Sequence, residues 1–198
     1  MLQTPRPISV VKQLRTHAVI LGSTVAVIWA VFIVDSILGG ALLRYGVVPR
    51  TVDGLGGILL APFLHANFNH IAANTVPLLV LGWLVMLRDP RHFLLVALTA
   101  TITGGAVAWL LGPTNSVHIG ASGVVFGFLL FAGWYARSFA SIMLSLAVVA
   151  FWGGLVLGVL PGEAGISWQE HLGGFIGGAL AARWFARDPG RAARLVRL

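Results

Sequence analysis

Long apolar runs broken by short polar stretches set the reading of this chain. Six of them are long and apolar enough to be membrane helices, near residues 18–38, 70–87, 92–111, 121–136, 140–160 and 168–186. The fourth is short for a full span, so its outer end is expected to begin below the membrane surface. The first follows Arg6, Lys12 and Arg15, an approach that looks like the basic region of a signal peptide. Its apolar run exceeds the roughly 7–15 residues of a signal core and no Ala-x-Ala site follows, so it is read as a retained helix. The expected fold is all-α: a polytopic membrane protein with a six-transmembrane-helix bundle as one domain, 18–186. A segment 1–17 precedes it and a basic tail 187–198 follows.

Composition supports the membrane. Of the 198 residues, 58% are hydrophobic and 10% charged; the mean hydropathy is +0.91. A soluble domain of this size cannot hide so much apolar side chain. There is no cysteine, which excludes disulfides, thiol nucleophiles and thiolate metal sites. The net charge of +7 raises nucleic acid as a partner, but the basic residues stand at the ends of apolar runs, so no nucleic acid is expected. Eleven of the thirteen Lys and Arg fall on one side of the expected bundle, with only Arg44 and Arg50 on the other. The positive-inside rule then makes both termini cytoplasmic and the protein a multi-pass plasma-membrane protein. The tail "ARDPGRAARLVRL" reads as lying near anionic headgroups. Residues 39–69 form a long outer loop, and "VDGLGGILLAPFLHANF" is apolar enough to lie in the membrane interface.

With that topology the unusual polar residues collect at one depth. His70 and Asn74 open the second run, four residues apart and so on one helix face; Ser122 opens the fourth and His171 the sixth. Each has an ordinary explanation alone: an interfacial histidine, an interhelical amide bond, a serine in a small-residue contact. Together, four costly polar groups in one outer layer of a membrane point to a site. Ser122 needs a base within hydrogen-bond reach to act as a nucleophile, and His171 is the candidate. Gly120, Gly123, Gly127, Gly174 and Gly178 would let the fourth and sixth helices approach closely. Backbone N–H groups at the helix start beside Ser122, with the side chains of His70 and Asn74, would receive an oxyanion. Glu170 is about 100° around the helix from His171 and does not orient its ring. Phe126, one turn below Ser122, is placed to hold the imidazole by packing. The economical reading is a Ser–His dyad.

These motifs resemble the rhomboid family of intramembrane serine proteases in its six-helix bacterial form. "GASG" at 120–123 is similar to the family's Gly-x-Ser-Gly nucleophile motif, "HIAAN" at 70–74 to its oxyanion motif, and "HLGGFIGG" at 171–178 to its catalytic-histidine helix. The resemblance covers roughly residues 18–186. It implies Ser122 as nucleophile, His171 as general base, His70 and Asn74 with the Ser122 N–H as oxyanion hole, and Gly120, Gly123, Phe126 and Gly174 in support. It also implies transmembrane protein substrates cut near their outer ends, the lipid bilayer as surroundings, no metal and no cofactor, and lateral substrate entry past the fifth helix, with Phe151 and Trp152 as gate candidates. Two departures stand out: the first loop lacks the Trp-Arg pair many members carry, and Phe126 occupies a position that is often tyrosine.

Other residues are given quieter parts. His65 is expected to cap a loop and His118 to be structural. Asp35 is expected to meet the interface or a neighbour's donor, and His17 and His92 lie on the cytoplasmic side. Two competing functions remain: a non-catalytic rhomboid-like protein that binds membrane clients, and a small transporter with His65, His70, His118 and His171 around an ion. The intact Ser122/His171 pair opposes the first. The apolar inner halves of the helices and the lack of an intramembrane carboxylate beside the histidines oppose the second.

Overall fold

The computed structural model describes residues 10–87, 89–135 and 165–187, with positions 139, 142, 143, 146, 147, 150, 160 and 161 between them. Among these the chain is all-helical, with α1 Val10–Ile37, α2 Val52–Leu60, α3 Phe68–Met86, α4 Arg91–Leu111, α5 Ser122–Tyr135 and α6 Trp168–Arg187. By length and composition α1, α3 and α4 can each cross a membrane. At 14 residues α5 is short, as the sequence leads one to expect. The expected span 140–160 lies mostly outside the described residues, and so do Phe151 and Trp152.

The structure differs from the sequence reading at one boundary and by one added helix. α1 begins at Val10 rather than near residue 18, because helix formation continues through the polar turn of Lys12, Gln13 and Arg15. Hydropathy marks only the part able to enter lipid. The outer loop also contains a helix. α2 forms despite the glycines of "VDGLGGILL" because its N-terminus is well closed: the Thr51 hydroxyl accepts the Gly54 N–H at 3.0 Å and donates to the Val48 carbonyl at 3.0 Å. Asp53 adds a negative charge to that first turn. Further ties fasten this loop to the outer end of α4. Trp109 Nε1 donates to the Thr51 carbonyl at 2.8 Å, and Arg50 donates from Nη1 to the Leu110 carbonyl at 3.0 Å.

α6 packs against both α4 and α5, α3 packs on α5, and α1 on α3. α1 buries a single stripe, His17, Leu21, Ile28 and Asp35, and turns Val19, Val27, Ile33 and Val34 outward. The core lies between the helices, with Ile71, Leu81, Val96, Val125, Phe128 and Phe131 almost fully enclosed. Glycine pairs on α6 decide how close its neighbours come. A Cβ on Gly174 would overlap the backbone carbonyl of Gly123, and one on Gly178 that of Gly127; Gly173 and Gly177 meet the backbone of α4 at Thr103 and Ala100 in the same way. In lipid, where apolar burial does not drive helices together, such backbone contact is what holds them.

Gly174→Ala is therefore expected to destabilise the fold by about 1–3 kcal/mol or more through overpacking. Gly22→Ala, whose Cβ meets nothing within 4 Å, is expected to be neutral or to stabilise by up to about 1 kcal/mol, as alanine replaces glycine inside a helix. Thermal unfolding midpoints in detergent decide between these, and equal midpoints for the two variants would contradict the packing argument.

Candidate active site

Ser122 is the first residue of α5 and His171 lies in the first turn of α6. The glycine contact brings those two helix starts together, and His171 Nε2 stands 2.7 Å from Ser122 Oγ. The imidazole is buried and stacked on Phe126, with ring centroids 4.5 Å apart at 25°. Phe126 is itself 1% exposed, so the surface on which His171 rests is fixed. A short hydrogen bond plus a packed face gives the ring one orientation.

The backbone before Ser122 is equally constrained. Gly120 has φ +117°, a region side chains avoid, and a Cβ there would stand 2.6 Å from His70 Nε2. The His70 ring thus lies directly against the turn that presents Ser122. His70 is held from its own helix: the Asn67 side chain caps α3 by accepting the His70 N–H at 2.9 Å. Asn74 is buried, and its Nδ2 donates to the His70 carbonyl at 2.9 Å. A primary amide has two N–H groups, so this bond leaves one free to point elsewhere.

Donors near the serine can be counted along the chain. Gly120 N–H goes to the Ala61 carbonyl at 2.8 Å, and Ala121 N–H to His65 Nε2 at 3.4 Å. The first bond inside α5 runs from Val125 N–H to the Ala121 carbonyl at 3.1 Å. The N–H groups of Ser122, Gly123 and Val124 therefore have no partner within the helix, and Ala121 offers no side chain to cap them. A helix start of this kind attracts negative charge.

Of the other histidines, His65 is fully buried, 4.9 Å from the His70 ring. Since its Nε2 accepts a hydrogen bond from the Ala121 N–H, its own proton is on Nδ1, which lies near the Phe63 carbonyl short of full hydrogen-bond geometry. Burial, and secondarily repulsion from His70, push its pKa down from 6.5 to about 4. His118 is buried between Ser116 and Ser167, and burial holds its pKa below the usual histidine value. Asp35 accepts the Leu42 N–H at 2.7 Å, tying the turn after α1. His17 packs on Trp83, and His92 on Phe131 and Phe185, away from this cluster. Glu170 turns toward Gly104 and Gly123, and its buried Oε2 has no hydrogen-bond partner among the described residues. No group of three or more metal-ligating side chains occurs among the described residues.

Residues 53–188 match the rhomboid domain. The chain belongs to the rhomboid family. That match begins in α2 and takes in every residue of the cluster, and the rhomboid family is of the intramembrane protease type. Over 184 residues, 87% of this chain and 76% of the other, it is 40% identical to an uncharacterized protein of Mycobacterium tuberculosis. RHOMBOID-like protein 1 of Arabidopsis thaliana is 31% identical over 137 residues, 64% of this chain and 33% of its own length. No solved structure matches significantly. Within the rhomboid domain, sequence reasoning passed over Ser167, although "SWQE" carries the Ser-x-x-Glu pattern of a helix N-terminus. Ser167 Oγ does accept the Glu170 N–H, at 3.2 Å.

The buried His65 has a consequence for pH. Between pH 6.5 and about 4 the unfolded chain takes up a proton that folded His65 refuses. Its contribution to stability is thus full above pH 6.5, declines through this window, and is gone below about 4. The size is about 3 kcal/mol. His65→Gln, whose amide oxygen can accept the Ala121 N–H, is expected to flatten this part of the pH dependence. Unfolding midpoints measured from pH 7 to 4 check it; an unchanged slope would show that His65 is not its source.

Proposed function

We propose that this protein is an intramembrane serine endopeptidase that cleaves transmembrane substrates near their extracytoplasmic end, with both termini in the cytoplasm. The observation that carries the reading is the 2.7 Å contact between Ser122 Oγ and His171 Nε2, with the imidazole stacked on Phe126. A hydroxyl becomes a useful nucleophile when a positioned base can take its proton in the transition state.

In the proposed reaction Ser122 Oγ attacks the scissile carbonyl carbon while its proton passes to His171 Nε2. The carbonyl oxygen becomes an oxyanion, received by the N–H groups at the start of α5 that have no partner within the helix and by donors from His70 and Asn74. Collapse of this intermediate breaks the C–N bond, and His171 gives its proton to the leaving amine. Water then repeats the sequence on the acyl-enzyme: His171 takes a proton from the water, the ester bond breaks, and the proton returns to Ser122. Neither half-reaction needs a metal or an organic cofactor. The helix start supports this mechanism electrostatically, since its partial positive charge faces the site where negative charge develops. A substrate must offer an extended peptide to Oγ, which favours helices that unwind readily near their outer ends.

Two measurements test the assignment. A fluorophosphonate probe applied in detergent is expected to label the wild type, with labelling lost in Ser122→Ala and reduced by on the order of 10⁴-fold or more in His171→Ala. Labelling of Ser122→Ala at the wild-type rate would remove Ser122 from its role. Absence of labelling in a well-folded wild type would favour the client-binding alternative. Cleavage of a transmembrane substrate in liposomes is expected to fall by about 100- to 1,000-fold in His70→Ala or Asn74→Ala, with partial activity left because the backbone donors remain. Wild-type rates in both variants would exclude these side chains from the oxyanion hole.

A further inference from the structure

His118 lies in the loop between α4 and α5, 5% exposed, with hydrogen bonds at both ring nitrogens. Nε2 is 2.9 Å from Ser116 Oγ and Nδ1 is 2.6 Å from Ser167 Oγ. The Ser116 hydroxyl donates to the Pro113 carbonyl at 2.7 Å, so it must accept from His118 Nε2–H. Nδ1 then carries the lone pair and accepts the Ser167 hydroxyl proton, while Ser167 Oγ accepts the Glu170 N–H. One unbroken chain of donors runs from the first turn of α6, through Ser167, His118 and Ser116, to Pro113 just beyond α4. Bonds aligned head to tail in a buried setting polarise one another. The His118 main chain is fixed as well, exchanging both of its hydrogen bonds with Val47 at 2.9 Å.

The register of these contacts relates them to the site. Ser122 lies four residues after His118, and His171 four after Ser167; both pairs are separated by 49 residues. The same two segments are thus joined twice, once at His118–Ser167 and again at Ser122–His171. We propose that His118 is a positioning residue for the Ser122–His171 pair, acting through Ser167 to hold the loop that leads into α5 against the first turn of α6. This inference rests on the reading of Ser122 and His171 as nucleophile and base. A helix start has few hydrogen bonds of its own, so the first turn of α6 depends on its cap for its place. An error of about 1 Å in the placement of reacting groups can cost on the order of 100-fold in rate. A purely structural histidine would act differently: its loss would lower the melting point but leave the reaction of folded molecules unchanged.

The test uses the full chain in detergent and a fluorophosphonate probe, each variant being measured well below its own unfolding midpoint. His118→Ala is expected to lower the limiting labelling rate about 10- to 100-fold, with the half-saturating probe concentration changed by less than about two-fold. His118→Asn is expected to restore most of the rate, because its amide oxygen can take the place of Nδ1 toward Ser167. In a Ser167→Ala background, adding His118→Ala is expected to change the rate by less than about two-fold, as expected for residues acting through one contact. Hydrogen exchange of the peptide 166–171, a readout that needs no activity, is expected to quicken in His118→Ala. A folded His118→Ala that labels at the wild-type rate overturns the proposal. So does a rate loss that recurs in full in the Ser167→Ala background, or unchanged exchange at 166–171. Failure of the underlying reading shows in a different variant: equal labelling of wild type and Ser122→Ala would leave His118 nothing to position, whatever the exchange result.

Discussion

Backbone-to-backbone contact between α5 and α6 is the constraint on which the site depends. Serine has a single rotatable bond before its hydroxyl, so its reach is short, and an imidazole adds only one ring. The two can meet at 2.7 Å only if the helices carrying them approach more closely than ordinary side chains allow. Gly123 against Gly174 and Gly127 against Gly178 give that approach, while Gly173 and Gly177 set the other side of α6 on α4. The pair of helices is clamped from two directions. Any side chain at those glycines would move His171 away from Ser122 before it touched either residue.

The helix starts are treated unequally, and the inequality has chemical meaning. Thr51, Asn67 and Ser167 each accept an N–H at the start of α2, α3 and α6. α5 is preceded by Ala121, which cannot do so. A helix start left without a cap normally loses stability, unless water or a ligand satisfies its donors. At α4 the residue before the N-cap serves, Asp89 Oδ1 accepting the Arg91 N–H at 2.8 Å, whereas the start that carries the serine has only Ala121 before it. Nearby N–H groups that could compete are already engaged, Gly120 by Ala61 and Ala121 by His65. The N–H groups of Ser122, Gly123 and Val124 are left at this helix start, and the His70 ring lies against the turn before it.

Much of this was legible in the sequence. Four-residue glycine spacing showed which faces of the fourth and sixth apolar runs would meet, and a serine and a histidine at the outer ends of those runs had to come near each other. The position of Phe126 one turn from Ser122 likewise implied a ring against the imidazole. What escaped was most of what irregular backbone makes. α2 is hidden by its glycines, because its stability comes from the Thr51 cap and from ties to α4 rather than from helix propensity. His65 was expected to cap a loop and His118 to be structural, but their partners, the Ala121 N–H and Ser167, are distant in sequence and could not be named from it. Even "SWQE" was only half informative: Ser167 caps the helix, yet the Glu170 carboxylate turns into the interface with Gly104 and Gly123 instead of reaching back.

Around the Ser122–His171 pair, burial disfavours the charged form of His65 and His118. His65 accepts a hydrogen bond from the Ala121 N–H and His118 sits within a chain of neutral hydrogen bonds, and both have their pKa lowered by burial. A standing positive charge in this layer would be costly to desolvate, and it would also compete for the electron density that must build on the substrate oxygen. The proposed reaction creates charge only as a pair: an imidazolium at His171 appears together with an oxyanion at the start of α5, and each stabilises the other in surroundings of low dielectric. Opposite charges that arise together at short range need no counter-ion from solvent. That gives a physical reason why a hydrolytic site can work within a membrane layer, where an isolated ion of either sign could not persist.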